Sequence, residues 1–240
     1  NDMLSFDTDQ IDSLKRRIHE IQERINRAAE KAERDPSTVR LVAVSKTVSV
    51  ERIRMAIEAG AETFGENYVQ EAQDKFSALS ALSATWHFIG HLQRNKARYV
   101  VRIFDLIHSV DSTRLADELN RQASKINKIQ SILIQVNLAG EKTKSGISPE
   151  DTEMLVRHVS TLPYLSLQGL MTMPPYFNAP EKVRPYFKQL RILRERIMDM
   201  SIENIGMSEL SMGMTGDFET AVAEGATLVR VGTAIFGARV

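Results

Sequence analysis

The chain has 240 residues, with 31 lysines and arginines against 31 aspartates and glutamates and no cysteine. That length suits a single α/β barrel with a substantial core, two small domains being the alternative by length alone. The charge balance gives no global field for nucleic acid or a membrane, and the lack of cysteine excludes disulfides, thiolate metal sites and a cysteine nucleophile.

Asn1 and Asp2 precede the first methionine, Met3, and are set aside as an expression remnant. From about Asp9 to Arg34, Ile11, Leu14, Ile18, Ile21, Ile25 and Ala28 to Ala29 recur at steps of three and four between charges, which predicts an amphipathic helix docking by one stripe. The run Leu41-Val42-Ala43-Val44-Ser45-Lys46-Thr47 then reads as a first buried parallel strand ending at Lys46. Val50 to Ala59 forms a helix closed by Gly60, and Glu62 to Asn67 a second strand that leaves Asn67 at the same end as Lys46.

The pattern repeats. Val69 to Ala78 is helical, Trp86 to Gly90 a third strand, Gln93 to Arg102 a basic helix, Leu106 to Val110 strand four and Arg114 to Lys125 its helix. Strand five runs from Ser131 to Asn137, a helix from Pro149 to Ser160, strand six from Leu165 to Met173 and a long helix from Glu181 to Met200. Glu209 to Met212 is strand seven, Phe218 to Ala223 a short helix and Leu228 to Val231 strand eight. About eight β-then-α units without a composition break predict one domain over residues 1–240. It is a closed (β/α)8 TIM barrel over about 39–237, preceded by an extra helix over about 9–34; an open doubly wound sheet is the alternative that periodicity leaves.

Ligands bind at the carboxyl ends of such strands, so Lys46 is a candidate imine-forming amine, the plain alternative being a rim lysine that snorkels to solvent. Two glycine turns follow strands seven and eight, Ser211-Met212-Gly213-Met214-Thr215-Gly216 and Gly232-Thr233. Loops in those two places often hold a phosphate, which makes Ser211, Gly232 and Thr233 the candidate grip. Arg230 shares a strand face with Gly232 and needs an acceptor inside the barrel, either a carboxylate or a ligand ring nitrogen. A strand-one lysine, a strand-eight arginine and a phosphate cradle together suit pyridoxal 5′-phosphate (PLP).

These residues sit in blocks that resemble the YggS/PROSC pyridoxal phosphate homeostasis proteins, related in fold to the barrel of alanine racemase. The blocks are Ala43-Val44-Ser45-Lys46-Thr47, Phe64-Gly65-Glu66-Asn67-Tyr68-Val69-Gln70-Glu71, His87-Phe88-Ile89-Gly90-His91-Leu92-Gln93, Lys144-Ser145-Gly146, Gly169-Leu170-Met171-Thr172-Met173, Leu210-Ser211-Met212-Gly213-Met214, and Val229 through Gly237. The resemblance implies Lys46 as the Schiff-base lysine, Arg230 facing the pyridine nitrogen, Ser211, Gly232 and Thr233 around the phosphate, and Asn67 near the cofactor. Thr215-Gly216-Asp217 departs from it, a serine and two acidic residues being expected there.

The remaining polar residues read as structural. His87 and His91 straddle a strand end and a glycine turn, not one helix face, so no metal site is expected. Arg94, Lys96, Arg98 and Arg102 read as a solvated helix face without interleaved aromatics for nucleic acid. Met171, Met173, Met212 and Met214 read as barrel filling. Lys142 or Lys144, after strand five, is a candidate transient acceptor of the aldehyde, the alternative being an exposed loop lysine.

With no apolar stretch long enough to span a bilayer and no signal-peptide pattern, the expectation is a cytoplasmic PLP carrier. It would act as a monomer without efficient turnover, serve vitamin B6 and amino-acid homeostasis, and hand the cofactor to PLP-accepting apo-enzymes. The rivals are a PLP-dependent amino-acid racemase and a cofactor-free aldolase. The chain ends soon after strand eight, without the further domain that completes racemase sites, and an aldolase leaves Arg230 without a role.

Overall fold

The computed structural model describes residues 2–142 and 145–238. A long helix, α1 (Asp2–Lys31), leads into the strands β1 (Arg40–Val44), β2 (Thr63–Glu66), β3 (Thr85–Phe88), β4 (Leu106–Val110), β5 (Gln130–Gln135), β6 (Leu165–Met171), β7 (Glu209–Ser211) and β8 (Leu228–Val231). All pair in parallel and in chain order, and β1 meets β8 to close the barrel. The helices between successive strands are α2 (Val50–Glu58), α3 (Val69–Leu79), α4 (Ala97–Ile103), α5 (Thr113–Lys125), α6 (Thr152–Ser160), α7 (Pro180–Asp199) and α8 (Phe218–Ala223), with α9 (Thr233–Phe236) after β8. The expected (β/α)8 barrel with an added helix is the observed fold. Among the described residues no helix is long and apolar enough to cross a membrane.

Strand side chains alternate, and the two sets meet different partners. Val42, Leu106, Leu133, Met171 and Leu228 pack on one another inside the barrel, whereas the opposite faces join the larger core between strands and helices. The stripe of α1 docks as its spacing predicts, with Leu14, Ile21, Ile25 and Ala29 buried. Polar clasps accompany it. Arg34 Nη1 donates to the Val222 and Ala226 carbonyls at 2.7 and 2.9 Å, Arg17 Nη1 to the Ile235 carbonyl at 3.0 Å, and Arg24 lies over the Phe218 ring beside Glu219.

Three expectations are corrected. β6 stops at Met171, two residues early, because Pro174 and Pro175 follow and lack the N–H a ladder needs. Met173 and Met214 are therefore not barrel filling: both lie past strand ends and are 41% and 43% exposed, while Met212 packs in the outer core and Met171 alone of the four fills the interior. The basic stretch begins with a single 3₁₀ turn at Arg94–Lys96 before α4, and its four cations are exposed.

β6 and β7 approach so closely that a Cβ on Gly169 would overlap the Glu209 carbonyl, whereas a Cβ on Gly216 would meet nothing within 4 Å. Gly169→Ala should therefore lower stability by about 3 kcal/mol, and Gly216→Ala should stay within about 0.5 kcal/mol of wild type. Urea denaturation of the two variants checks this, and equal midpoints would contradict it.

Candidate functional site

After Val44 the chain leaves β1 through Ser45, Lys46 and Thr47. Thr47 sits at φ +64°, a left-handed conformation that a β-branched residue seldom adopts. The turn is held from α3 and β2. The Thr47 N–H donates to the Glu71 carboxylate, and Lys75 Nζ donates to the Ser45 carbonyl at 2.6 Å. Lys75 Nζ also pairs with Glu71 Oε1 at 2.5 Å and Glu66 Oε1 at 2.7 Å, and Ser45 Oγ donates to Glu66 Oε2 at 2.8 Å. Glu66 and Lys75 are both buried, and burial raises the Glu66 carboxyl above its ordinary range against the opposing pull of Lys75 and Ser45.

The β1–β8 register sets Val42 against Arg230 and Ala43 against Val231, so the next residues along, Val44 and Gly232, come side by side. A Cβ on Gly232 would lie 3.3 Å from the Val44 Cβ, a tighter contact than side chains usually make. A cavity of about 440 Å³ opens at these two strand ends, lined by Val44, Lys46, Arg52, Gly232, Thr233 and Phe236 among others. Arg52 Nη1 donates to the Phe236 carbonyl at 2.8 Å and so fixes the end of α9. On the β7 side, Thr233 Oγ1 donates to Thr215 Oγ1 at 3.3 Å, and the departing segment Thr215-Gly216-Asp217 is pinned by the Met214 N–H on Asp217 Oδ1 at 2.7 Å.

Arg230 is 2% exposed inside the barrel, and its partners are the Ser211 hydroxyl, reached by Nη1, and the Thr172 carbonyl, reached by Nη2 at 3.0 Å. Among the described residues it makes no ion pair, so the carboxylate partner is not what the barrel supplies. Burial lowers its pKa to about 10, with Asp217 acting the other way, and it remains a cation at neutral pH. Beyond it, Ser211 Oγ lies 2.8 Å from His108 Nδ1, and His108 Nε2 lies 2.9 Å from His87 Nδ1. Arginine only donates, so Ser211 Oγ accepts from Arg230 and its own proton is available to His108 Nδ1; in that tautomer the His108 Nε2–H donates to His87 Nδ1. Both imidazoles are neutral, since burial pushes His87 down to about 3 and His108 well below its ordinary value.

The candidate residues thus fall into three groups. Lys46, Gly232 and Thr233 share the cavity. Ser211 and Arg230 bond to each other beneath the mouth, and Ser211, fully buried, turns its hydroxyl to Arg230 and His108 instead of joining Gly232 and Thr233. Asn67 borders a neighbouring cavity of about 560 Å³ with Tyr68, Gly90 and His91, its Oδ1 buried without a hydrogen-bond partner. His87 and His91 diverge, His91 being exposed with Nδ1 3.0 Å from Ser145 Oγ. Lys142 is exposed after β5, and Lys144 lies outside the described residues.

Four residues escaped the sequence: Glu66, Lys75, His108 and, through its carbonyl, Thr172. Two had a signal. Lys75 interrupts the apolar stripe of Ala72 and Leu79 on α3, and His108 interrupts the buried run of β4.

Comparison with known proteins gives this arrangement a family. The profile described as Alanine racemase, N-terminal domain, matches residues 17–240. The chain belongs to that family. It is 46% identical over 223 residues to the Pyridoxal phosphate homeostasis protein of Aquifex aeolicus, covering 93% of this chain and 97% of that one. To the protein of the same name in Pseudomonas aeruginosa it is 45% identical over 222 residues, covering 92% and 94%. The likeness to pyridoxal phosphate homeostasis proteins seen in the motifs therefore extends along the chain. PipY of Synechococcus elongatus PCC7942, whose structure holds PLP, superposes with a TM-score of 0.80 at 39% identity over 89% of this chain and 100% of that one. The alanine racemase of Corynebacterium glutamicum, at 15% identity and TM-score 0.68 over 95% of this chain and 62% of its own, shares the fold.

The neutral histidine pair makes stability depend on pH. Unfolded imidazoles take up protons near 6.5 while the folded ones resist, His87 down to about 3, so the unfolded state binds more protons in that window. Their contribution is complete above that range and falls with acidification, by up to about 1.4 kcal/mol per pH unit per imidazole. His87→Gln, which keeps an acceptor for His108, should flatten the loss of urea resistance between about pH 7 and about pH 5; parallel profiles would contradict the assignment.

Proposed function

We propose that this protein holds PLP reversibly as a Schiff base on Lys46 and serves vitamin B6 and amino-acid homeostasis without efficient turnover. The observation that carries this reading is the single cavity shared by Lys46 on one wall and Gly232 and Thr233 on the other. Its volume, about 440 Å³, lies in the range of small-molecule sites. An amine there can condense with an aldehyde, losing one water, while the hydroxyl of Thr233 and the close backbone approach allowed by Gly232 suit a phosphate.

The buried cation fits the same ligand. Arg230 carries five N–H donors, and a guanidinium without a carboxylate beside it can donate to a pyridine nitrogen while its charge discourages protonation of that nitrogen. The cofactor, when bound, would supply the reactive aldehyde and the ring into which electrons can be drawn. Keeping that ring unprotonated weakens carbanion chemistry without forbidding racemisation. Ser211 takes the role of Arg230's hydrogen-bond partner, and the unpartnered Asn67 Oδ1 is a polar group on the neighbouring cavity. The names of the Aquifex and Pseudomonas relatives and the PLP in PipY support the reading. Transfer to PLP-accepting apo-enzymes is its expected use.

The shared fold with alanine racemases favours a second reading, a racemase-like enzyme, and two experiments separate the possibilities. The visible spectrum of the purified protein supplied with PLP should show a Schiff base, with the borohydride-reduced adduct mapping by mass to Lys46 and absent from Lys46→Ala. A protein that takes up no PLP would overturn the cofactor assignment. Incubation with L- and D-amino acids in deuterated water should give little racemisation, transamination or Cα exchange above free PLP. Saturable turnover abolished by Lys46→Ala would establish the racemase-like reading instead.

A further inference from the structure

The buried cluster on the outer side of β1 and β2 is placed oddly for a stabilising device. Lys75 is 5% exposed between Glu66 and Glu71, and ion pairs at such depth gain little net stability over apolar side chains of the same volume. Its bonds converge instead on the backbone that carries Lys46. The residue before Lys46 gives its carbonyl to Lys75 and its hydroxyl to Glu66, and the residue after gives its N–H to Glu71. Thr47 is thereby kept in a left-handed conformation that threonine would otherwise leave.

We infer that Lys75, with Glu66 and Glu71, is a positioning device that fixes the Ser45–Thr47 turn so that the Lys46 side chain enters the cavity facing Gly232 and Thr233. This rests on the cofactor reading above. With Ser45 anchored outward to α3 and Thr47 turned back, the Cα of Lys46 has one orientation, and the direction of its side chain is set before any ligand arrives. A ring and phosphate bound elsewhere in the cavity owe nothing to this turn. Reaction of the aldehyde with the amine depends on it, because bond formation is steeply sensitive to the approach of the reacting atoms.

The test separates binding from condensation. 4-Deoxypyridoxine 5′-phosphate, which has no aldehyde, reports the ring and phosphate contacts by titration calorimetry; PLP reports reaction with Lys46 by stopped-flow absorbance and borohydride trapping. Glu71→Ala removes the acceptor of the Thr47 N–H at a side chain still 27% exposed, and Lys75→Met removes the central cation while keeping an unbranched side chain. Each should slow trapping at Lys46 by roughly tenfold to a hundredfold while the affinity for the deoxy analogue stays within about twofold. Glu71→Gln, whose amide oxygen still accepts from Thr47, should recover most of the rate. Unchanged trapping in both Glu71→Ala and Lys75→Met, or a parallel loss of trapping and analogue affinity, would overturn the inference while leaving the cofactor reading intact. Failure of the wild-type protein to trap PLP would overturn both.

Discussion

The pairing of β1 with β8 is the contact on which the candidate site depends. Lys46 and Gly232 stand near opposite ends of the chain, and only the register across this seam places the strand ends that carry them beside each other. The fit is tight at that point, since the Val44 side chain occupies the space a larger residue at position 232 would need. Barrel closure and assembly of the cavity are therefore one event, and a slip at the seam would move Lys46 relative to Gly232 and Thr233 while leaving most of the core packed.

Inside the barrel a different problem is solved. A buried guanidinium is tolerable only if its donors are met, and here a carbonyl and a hydroxyl meet two of them without a neutralising carboxylate. The serine that accepts from Arg230 lies in turn against two neutral imidazoles in series, His108 and then His87.

Much of this was legible in the sequence because a parallel barrel writes a strict alternation. Strand eight puts Arg230 and Gly232 on one face, strand one ends at Lys46, and the matched blocks named the family. Alternation gives the face of a strand but not which neighbour a side chain meets across the barrel. Ser211 therefore read as part of one grip with Gly232 and Thr233, and nothing in that pattern shows that its hydroxyl meets His108 from β4. Asn67 was placed at the correct end, but alternation could not show that it borders a neighbouring cavity. Lys75 was passed over because charges on a helix are normally solvated. Its burial follows from two carboxylates on separate elements, Glu66 on β2 and Glu71 on α3, that no local pattern brings together. The methionine pattern misled at Met173 and Met214 because two prolines end β6 early and β7 stops at Ser211.

The docking of α1 has a consequence for biosynthesis. Arg17 and Arg24 of α1, with Arg34 just after it, clasp carbonyls and side chains of α8, α9 and the turn before β8, elements translated long after α1 has left the ribosome. Until they appear, the stripe of Leu14, Ile21 and Ile25 has only early elements such as α2 to pack on, and the part that later meets α8 and α9 stays open to chaperones or to neighbouring nascent chains. A fold whose seam and outer helix both wait for β8 gains little from folding piece by piece, so the nascent chain passes through synthesis without an assembled cavity.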